Sequence, residues 1–320
     1  MNHFYTVFLA VLQLLAYAVV PFLLMRLRKL NEASIKTLVT VLLYICQPCL
    51  AVYSFQKATV LVCDGKVSLE DMILKGVWGL VLSVVLQLAF LGLSYFVLRK
   101  KQGLAENRIF VIASVLANSG FFGLPLLEAV LGEEHPEVVM YTAIFSLVMN
   151  AMCWTVISAI LTRDTRFISL KKLLLNPNTI AGVISIGLLC LQTLIPAGLF
   201  DMISLLGRFS TPLCMFILGM RLALIPFREI FGNVRAYAIC AVKNFGFPLF
   251  AFAVLLFLPV EGPIKQSMFI ICACPAASMV LSFAEMLGEG EKTAANVVLL
   301  STMSSLLTLP LVCLLLPLLA

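Results

Sequence analysis

Charged residues are scarce in this sequence. Only 12% of the 320 residues are Asp, Glu, Lys or Arg, whereas soluble domains carry about 25%. Hydrophobic residues make up 62% of the chain, and the mean hydropathy is +1.09. The deficit of charge excludes an ordinary soluble domain, and the recurring apolar runs of roughly 20 residues predict a single integral membrane unit.

Histidine is almost absent, and this removes several kinds of chemistry. His3 and His135 are the two histidines, and both fall near the ends of apolar segments, so a histidine proton relay within the membrane is not expected. Cys46 and Cys49 have the C-x-x-C spacing, but no second pair accompanies them, and we interpret the cysteines as small apolar residues. The sequence has no Walker nucleotide-binding motif. We therefore predict no metal, no cofactor and no enzymatic activity.

The net charge of +6 does not predict a nucleic-acid partner, because the basic residues form short clusters between apolar runs. If the odd-numbered connections are cytoplasmic, they hold 16 Lys and Arg residues, against four in the other connections. The positive-inside rule then places both termini on the extracytoplasmic side of the cell membrane. The first apolar segment is interpreted as a retained span, since its positive charges follow the apolar core.

Apolar windows predict ten membrane spans. The connection at 163–177 separates a first unit of five spans, 1–162, from a second unit, 178–320. Because five is odd, the second unit must be inverted relative to the first. The predicted spans are 4–25, 37–55, 73–98, 108–131, 138–161, 178–200, 202–222, 236–259, 264–286 and 294–318.

Helix-breaking residues interrupt the fourth span. The stretch LANSGFFGLPL at 116–126 contains Gly120, Gly123 and Pro125; each glycine costs about 1 kcal/mol relative to alanine, and proline removes a backbone donor. The ninth span has a similar break at Pro275, and the second span of each unit also contains a proline. Such backbone is tolerated within a membrane where it lines a cavity or is buried in protein. We predict a site wall, with a simple packing kink as the alternative.

A broken helix offers the unpaired amides and positive dipole of a half-helix to an anion such as a carboxylate. Lys243 lies within the eighth span and is expected either to contact such a substrate or to extend to the cytoplasmic surface. Glu128 and Glu285 are candidates for coupling to an ion. The predicted substrate-binding residues are Asn118, Ser119, Gly120, Gly123, Pro125, Asn150, Cys274, Pro275, Ser278, Asn296 and Lys243.

The chain resembles bacterial members of the auxin efflux carrier family, within the larger group that includes the bile-acid sodium symporters. The resemblance covers essentially all 320 residues. It rests on the number of spans and on three motifs: the Asn-x-Gly-x-x-Gly-x-Pro pattern that begins at Asn118, the segment PAASMVLSFAEMLG from Pro275, and TPLCMFILGMRL from Thr211 with Pro212 and Gly219.

This resemblance implies an all-α fold of ten helices in two inverted five-helix repeats, with helices 4 and 9 broken and crossing at the substrate site. Spans 1, 2, 6 and 7 would form a scaffold, and spans 3–5 and 8–10 a transport unit. It further implies a homodimer in the lipid bilayer that carries small organic anions, such as malate, malonate or auxin, by alternating access. The coupling ion, proton or sodium, stays open. A passive anion channel and a ligand-sensing receptor are the alternative functions.

Overall fold

A computed structural model describes residues 3–101, 103–226, 232–288 and 290–320 of the protein. Within these ranges the chain is helical and contains no β-strand. The principal helices are α1 His3–Arg26, α2 Glu32–Cys63, α3 Leu69–Leu98, α4 Ala105–Val115, α5 Ser119–Val130, α6 Val138–Thr162, α7 Pro177–Cys190, α8 Ala197–Leu224, α9 Val234–Leu256, α10 Gly262–Ala273, α11 Met279–Leu287 and α12 Glu291–Leu319.

Seven of these helices are long and apolar enough to cross a membrane, namely α1, α2, α3, α6, α8, α9 and α12. The helices α5 and α7 are apolar but shorter. The fourth and ninth predicted spans are each divided, into α4 and α5 and into α10 and α11. The all-helical class predicted from the sequence is therefore confirmed, while the arrangement of ten spans in two inverted repeats stays a prediction.

The predicted sixth span, 178–200, was too long at its C-terminal end. Helix α7 ends at Cys190, and Gln192 has a positive φ of 50°. Helix α8 begins at Ala197, directly after Pro196, and proline suits a helix start because the first amides lack intrahelical partners. The residues between the two helices form a connection that apolar composition alone does not distinguish from a helix.

Three of the prolines within the spans follow widened helical turns. Five-residue π-helical segments directly precede the turns that contain Pro48, Pro125 and Pro248. A proline ring clashes with the carbonyl four residues earlier in an α-helix, and a π turn, with its longer hydrogen-bond spacing, avoids that alignment. Pro125 therefore lies inside α5, and the chain is interrupted earlier than the proline indicated, at 116–118.

We define a first group of helices, α1, α2, α7 and α8, and a second group, α3–α6 and α9–α12; the two groups also contact each other, α1 with α12 and α2 with α6. In the first group α1 lies along α8, and α2 contacts both α7 and α8. The close approach of α1 and α8 depends on Gly219, where a Cβ would overlap the backbone of Ala18. In the second group α3 contacts α4 and α6, while α9 contacts α10 and α12. The broken helices belong to the second group and face the first, which positions the site described below.

Candidate functional site

The two interrupted segments cross and pair through their backbones. Ala117 and Ala276 form an isolated antiparallel bridge. The amide of Asn118 donates to the carbonyl of Pro275 at 2.9 Å, and the amide of Ala277 donates to the carbonyl of Leu116, also at 2.9 Å. Helix breaks leave backbone groups without intrahelical partners, and a nonaqueous interior requires that they be satisfied. Each break supplies what the other lacks, so the crossing is stable only as a pair.

Small residues and buried hydroxyls support the crossing. At Gly123 a Cβ would stand 3.3 Å from the sulfur of Cys274, so glycine lets the two segments approach. Ser301 on α12 is fully buried and accepts a hydrogen bond from the amide of Ala276 at 3.1 Å. Ser301 thus supports the backbone of the second break.

Lys243 does not reach the surface, which corrects one of the two expectations for it. It is also absent from the cavity lining, and its contact with a substrate stays a prediction. Its side chain is fully buried. The ammonium donates to the carbonyl of Cys272 at 2.9 Å and stands 4.7 Å from the ring centre of Phe247. That carbonyl belongs to the last turn of α10, where the helix dipole is negative and carbonyls lack intrahelical partners. Lys243 thus stabilises the end of the half-helix that precedes the second break.

A cavity of about 250 Å³ lies beside the crossing, between the two groups of helices. The second group contributes the N-terminal turns of both α5 and α11, and the first group contributes parts of α2, α7 and α8. The lining also includes Asn176 directly before α7, Arg221 near the end of α8 and the exposed Met286 near the end of α11. The cavity therefore opens toward the end of the protein where the basic connections lie.

Neutral polar groups surround the deep part of the cavity. Asn118 and Ser278, one from each break, line the cavity together with Cys214 on α8. The hydroxyl of Ser119 lies 2.7 Å from that of Ser146 on α6. First-turn amides of a helix have no intrahelical partner, and here two such turns border the same space. The cavity can therefore offer amide and hydroxyl donors together with the positive ends of two helix dipoles.

The structure brings only part of the predicted set to this cavity. Asn118, Ser119, Gly120 and Ser278 line it, whereas Asn150 instead bonds Thr179 on α7 at 3.0 Å. Five further candidates do not line the cavity: Gly123 and Pro125 lie in α5, Cys274 and Pro275 lie in the second break, and Asn296 lies at a different surface groove. Since no ligand is present, the binding role of each residue stays a prediction.

Sequence reasoning missed Arg221. Among the described residues that line the cavity, Arg221 is the one that carries a charge. Its guanidinium contacts the carboxylate of Glu285 on α11, with Nη1 and Oε1 2.9 Å apart. In the sequence Arg221 follows a long apolar segment and counted as a topology signal. Its position on the cavity depends on the packing of α8 against α11, and no local pattern records that packing.

A second ion pair joins the helix groups near the opposite end of α8. Glu128 on α5 accepts a hydrogen bond from the hydroxyl of Tyr53 at 2.6 Å and from the ammonium of Lys57 at 3.1 Å. Gln56, beside Lys57 on α2, bonds the backbone of Thr193 just before α8 begins. These residues do not line the cavity, so this end of the contact between the two groups is closed by direct interactions.

The fold and the cavity define a class of protein: a multi-pass membrane protein with two crossing, interrupted helices beside a largely apolar cavity that contains several polar groups. A family model described as membrane transport protein matches residues 6–166 and 161–313. The chain belongs to this family, and the predicted kinship with auxin efflux carrier-like proteins is confirmed. It is similar to an uncharacterized transporter of the archaeon Methanocaldococcus jannaschii, with 24% identity over 204 residues, which are 63% of this chain and 66% of that relative.

Proposed function

We propose that this protein is a secondary transporter that carries small organic anions across the cell membrane by alternating access. The observation that supports the substrate class is the convergence of the N-terminal turns of α5 and α11 on one cavity. Each helix N-terminus is equivalent to roughly half a positive elementary charge. Together they offer about one unit of positive charge, which matches one carboxylate.

Neutral donors complete the proposed anion site. Asn118 and Ser278 supply side-chain polar groups from the two breaks, and Ser119 supplies a hydroxyl. Half-helix ends that face an anion near the membrane midplane are a recurring feature of secondary transporters. The cavity volume of about 250 Å³ suits a small acid rather than a large lipid-like molecule.

The division of the helices into two groups supports alternating access. The cavity lies between the groups and opens toward one end, while the contact of Glu128 with Lys57 and Tyr53 closes the other. Movement of the second group along the first would carry the crossing, and with it the anion, toward the opposite side. We propose that the first group is the scaffold and that the ten spans form two inverted halves, since the two breaks occupy matching places in them.

Transport by the purified protein in proteoliposomes tests this function. We expect concentrative uptake of a labelled small carboxylate under an imposed ion gradient or membrane potential, because a passive pore only equilibrates its solute. Asn118→Ala should lower uptake by about tenfold or more, since a hydrogen bond to a charged group contributes about 1.5–3 kcal/mol. The matched control is Asn107→Ala, because the Asn107 amide bonds the backbone of Lys101 away from the cavity.

Two results would contradict the proposal. Uptake that never exceeds equilibrium under any gradient indicates a channel. Equal uptake by the Asn118→Ala and Asn107→Ala proteins, at equal protein yield, would show that the crossing is not part of the substrate-binding site.

A further inference from the structure

Arg221 combines a partly buried position with a more exposed partner. Its side chain is 15% exposed and lines the cavity, whereas the side chain of Glu285 is 47% exposed. The Nη2 and Oε2 atoms of the pair are 3.5 Å apart, so only one contact is short. The Nε of Arg221 is buried and has no hydrogen-bond partner among the described residues. The guanidinium therefore keeps unused donor capacity beside the cavity.

The pair is built so that the acid can be exchanged. A partly buried guanidinium needs an anion, since an unpaired charge in such a place is costly. A half-exposed carboxylate regains water when it leaves, and ion pairs of this exposure contribute little net stability. Arginine presents a planar fork that binds carboxylates in a bidentate manner. Another carboxylate arriving through the cavity can therefore take the place of Glu285.

The spacing along α8 fits an anion that reaches from the crossing to Arg221. Cys214 lines the cavity together with Asn118 and Ser278 of the two breaks. Arg221 follows Cys214 by seven residues, and this is about 10 Å along a helix. A four-carbon diacid spans about 5–6 Å between its outer oxygens. With a hydrogen bond of about 3 Å at each end, the diacid reaches a distance similar to the separation of Cys214 and Arg221 along α8. Helical side chains also incline toward the N-terminus, which for Arg221 is the direction of Cys214.

We propose that Arg221 is a second anion-binding residue of the cavity, and that a carboxylate of the substrate displaces Glu285 from it. The proposal rests on the proposed function, because it requires the crossing to hold the first carboxylate. Substrates with two acidic groups are then favoured over those with one. Binding also releases α11 from α8, so that occupancy of the cavity loosens one contact between the two groups of helices.

Binding of succinate and butyrate, which have equal carbon chains and differ by one carboxylate, tests this role. Affinities are measured by calorimetric titration of the purified protein. We expect the wild-type protein to bind succinate roughly tenfold or more tightly than butyrate, given the strength of charge-assisted bonds. Arg221→Gln should bring the ratio of succinate to butyrate affinity close to one. Arg221→Lys should give an intermediate ratio, because lysine keeps the positive charge but cannot bind a carboxylate in the bidentate manner of a guanidinium. Glu285→Gln should tighten succinate binding several-fold, since the competing carboxylate is gone.

The matched controls are Arg235→Gln and Glu106→Gln. These residues form an ion pair at the same end of the protein but border a different surface groove, so neither change should alter the ratio. If Arg221→Gln still prefers succinate to butyrate as strongly as the wild-type protein, or if Glu285→Gln binds succinate more weakly, the proposed role of Arg221 is overturned. Continued binding of butyrate in these proteins would still support the anion site at the crossing. Absence of binding of either acid to the wild-type protein instead overturns the proposed function, and this inference with it. If Arg221→Gln does not fold, the Glu285→Gln result decides alone.

Discussion

Ser301 provides the sharpest test of how the crossing is held together. Its hydroxyl accepts a hydrogen bond from the amide of Ala276 at 3.1 Å, and the residues at both ends of this bond are buried. Ser301→Ala leaves that amide without its acceptor. A buried donor left unpaired costs about 1–3 kcal/mol, but polar contacts between membrane helices average only about 0.6 kcal/mol and reach about 1.7 kcal/mol. Ala276 lies in the break itself and has no alternative partner in its own helix. We therefore expect Ser301→Ala to lower the free energy of unfolding by about 1–2 kcal/mol.

Ser305→Ala is the matched control for this measurement. Ser305 lies one turn further along α12 and is fully buried, and its hydroxyl donates to the carbonyl of Thr302 in its own helix. Unfolding in mixed detergent micelles should show a larger loss of stability for Ser301→Ala than for Ser305→Ala. The Ser301→Ala protein should also bind anions more weakly, since Ala276 precedes the first turn of α11. Equal losses of stability in the two variants would refute the reasoning that the hydroxyl holds the second break.

Two further predictions concern helix packing and orientation. In unfolding measurements, Gly219→Ala should destabilise the protein by about 1–3 kcal/mol, because the added Cβ clashes with the backbone of Ala18. The control Gly187→Ala, whose added Cβ meets no atom within 4 Å, should be neutral or slightly stabilising. Similar effects of both changes would contradict the close approach of α1 and α8. Cys63 and Cys190 are exposed and lie toward the same end of the protein, so a membrane-impermeant thiol reagent should label them from outside in intact cells, and labelling only after permeabilisation would reverse the predicted orientation.

The sequence predicted the site to the extent that local chemistry determines it. Glycine and proline within apolar runs indicated both breaks, and Asn118 stands at the first one, where it lines the cavity. The exact point of interruption was not predictable, because π turns absorb Pro125 into a helix and move the break to 116–118. The pairing of Ala117 with Ala276 was also beyond reach, since two alanines carry no signal and the partners are far apart along the chain.

Charged residues were the least predictable part of the site. The rule that charge within a span needs a reason drew attention to Lys243, but that rule does not say which reason applies, and Arg221 was counted only among the basic connections. The structure places Lys243 against the end of α10 and Arg221 on the cavity. The two side chains have different surroundings because each helix is rotated differently about its own axis. That rotation is determined by contacts with helices that are distant in the sequence.

The two ion pairs between the helix groups occupy corresponding places but differ in chemistry. Lys57 and Arg221 each follow a proline of their span by nine residues, and each pairs with a glutamate on the second half of a broken helix. They lie near opposite ends of α8, which at 28 residues is about 42 Å long. This is the placement expected of two halves related by inversion.

The difference between the pairs follows the cavity. At the closed end Glu128 is held by both Tyr53 and Lys57 and lies outside the cavity, whereas at the open end Glu285 is half exposed and its arginine faces the cavity. If the protein alternates as we propose, the closed pair must separate before the other end can open. The stronger, tyrosine-supported contact therefore sets the barrier to that step, and the weaker contact at Arg221 is the one that an arriving anion can exchange.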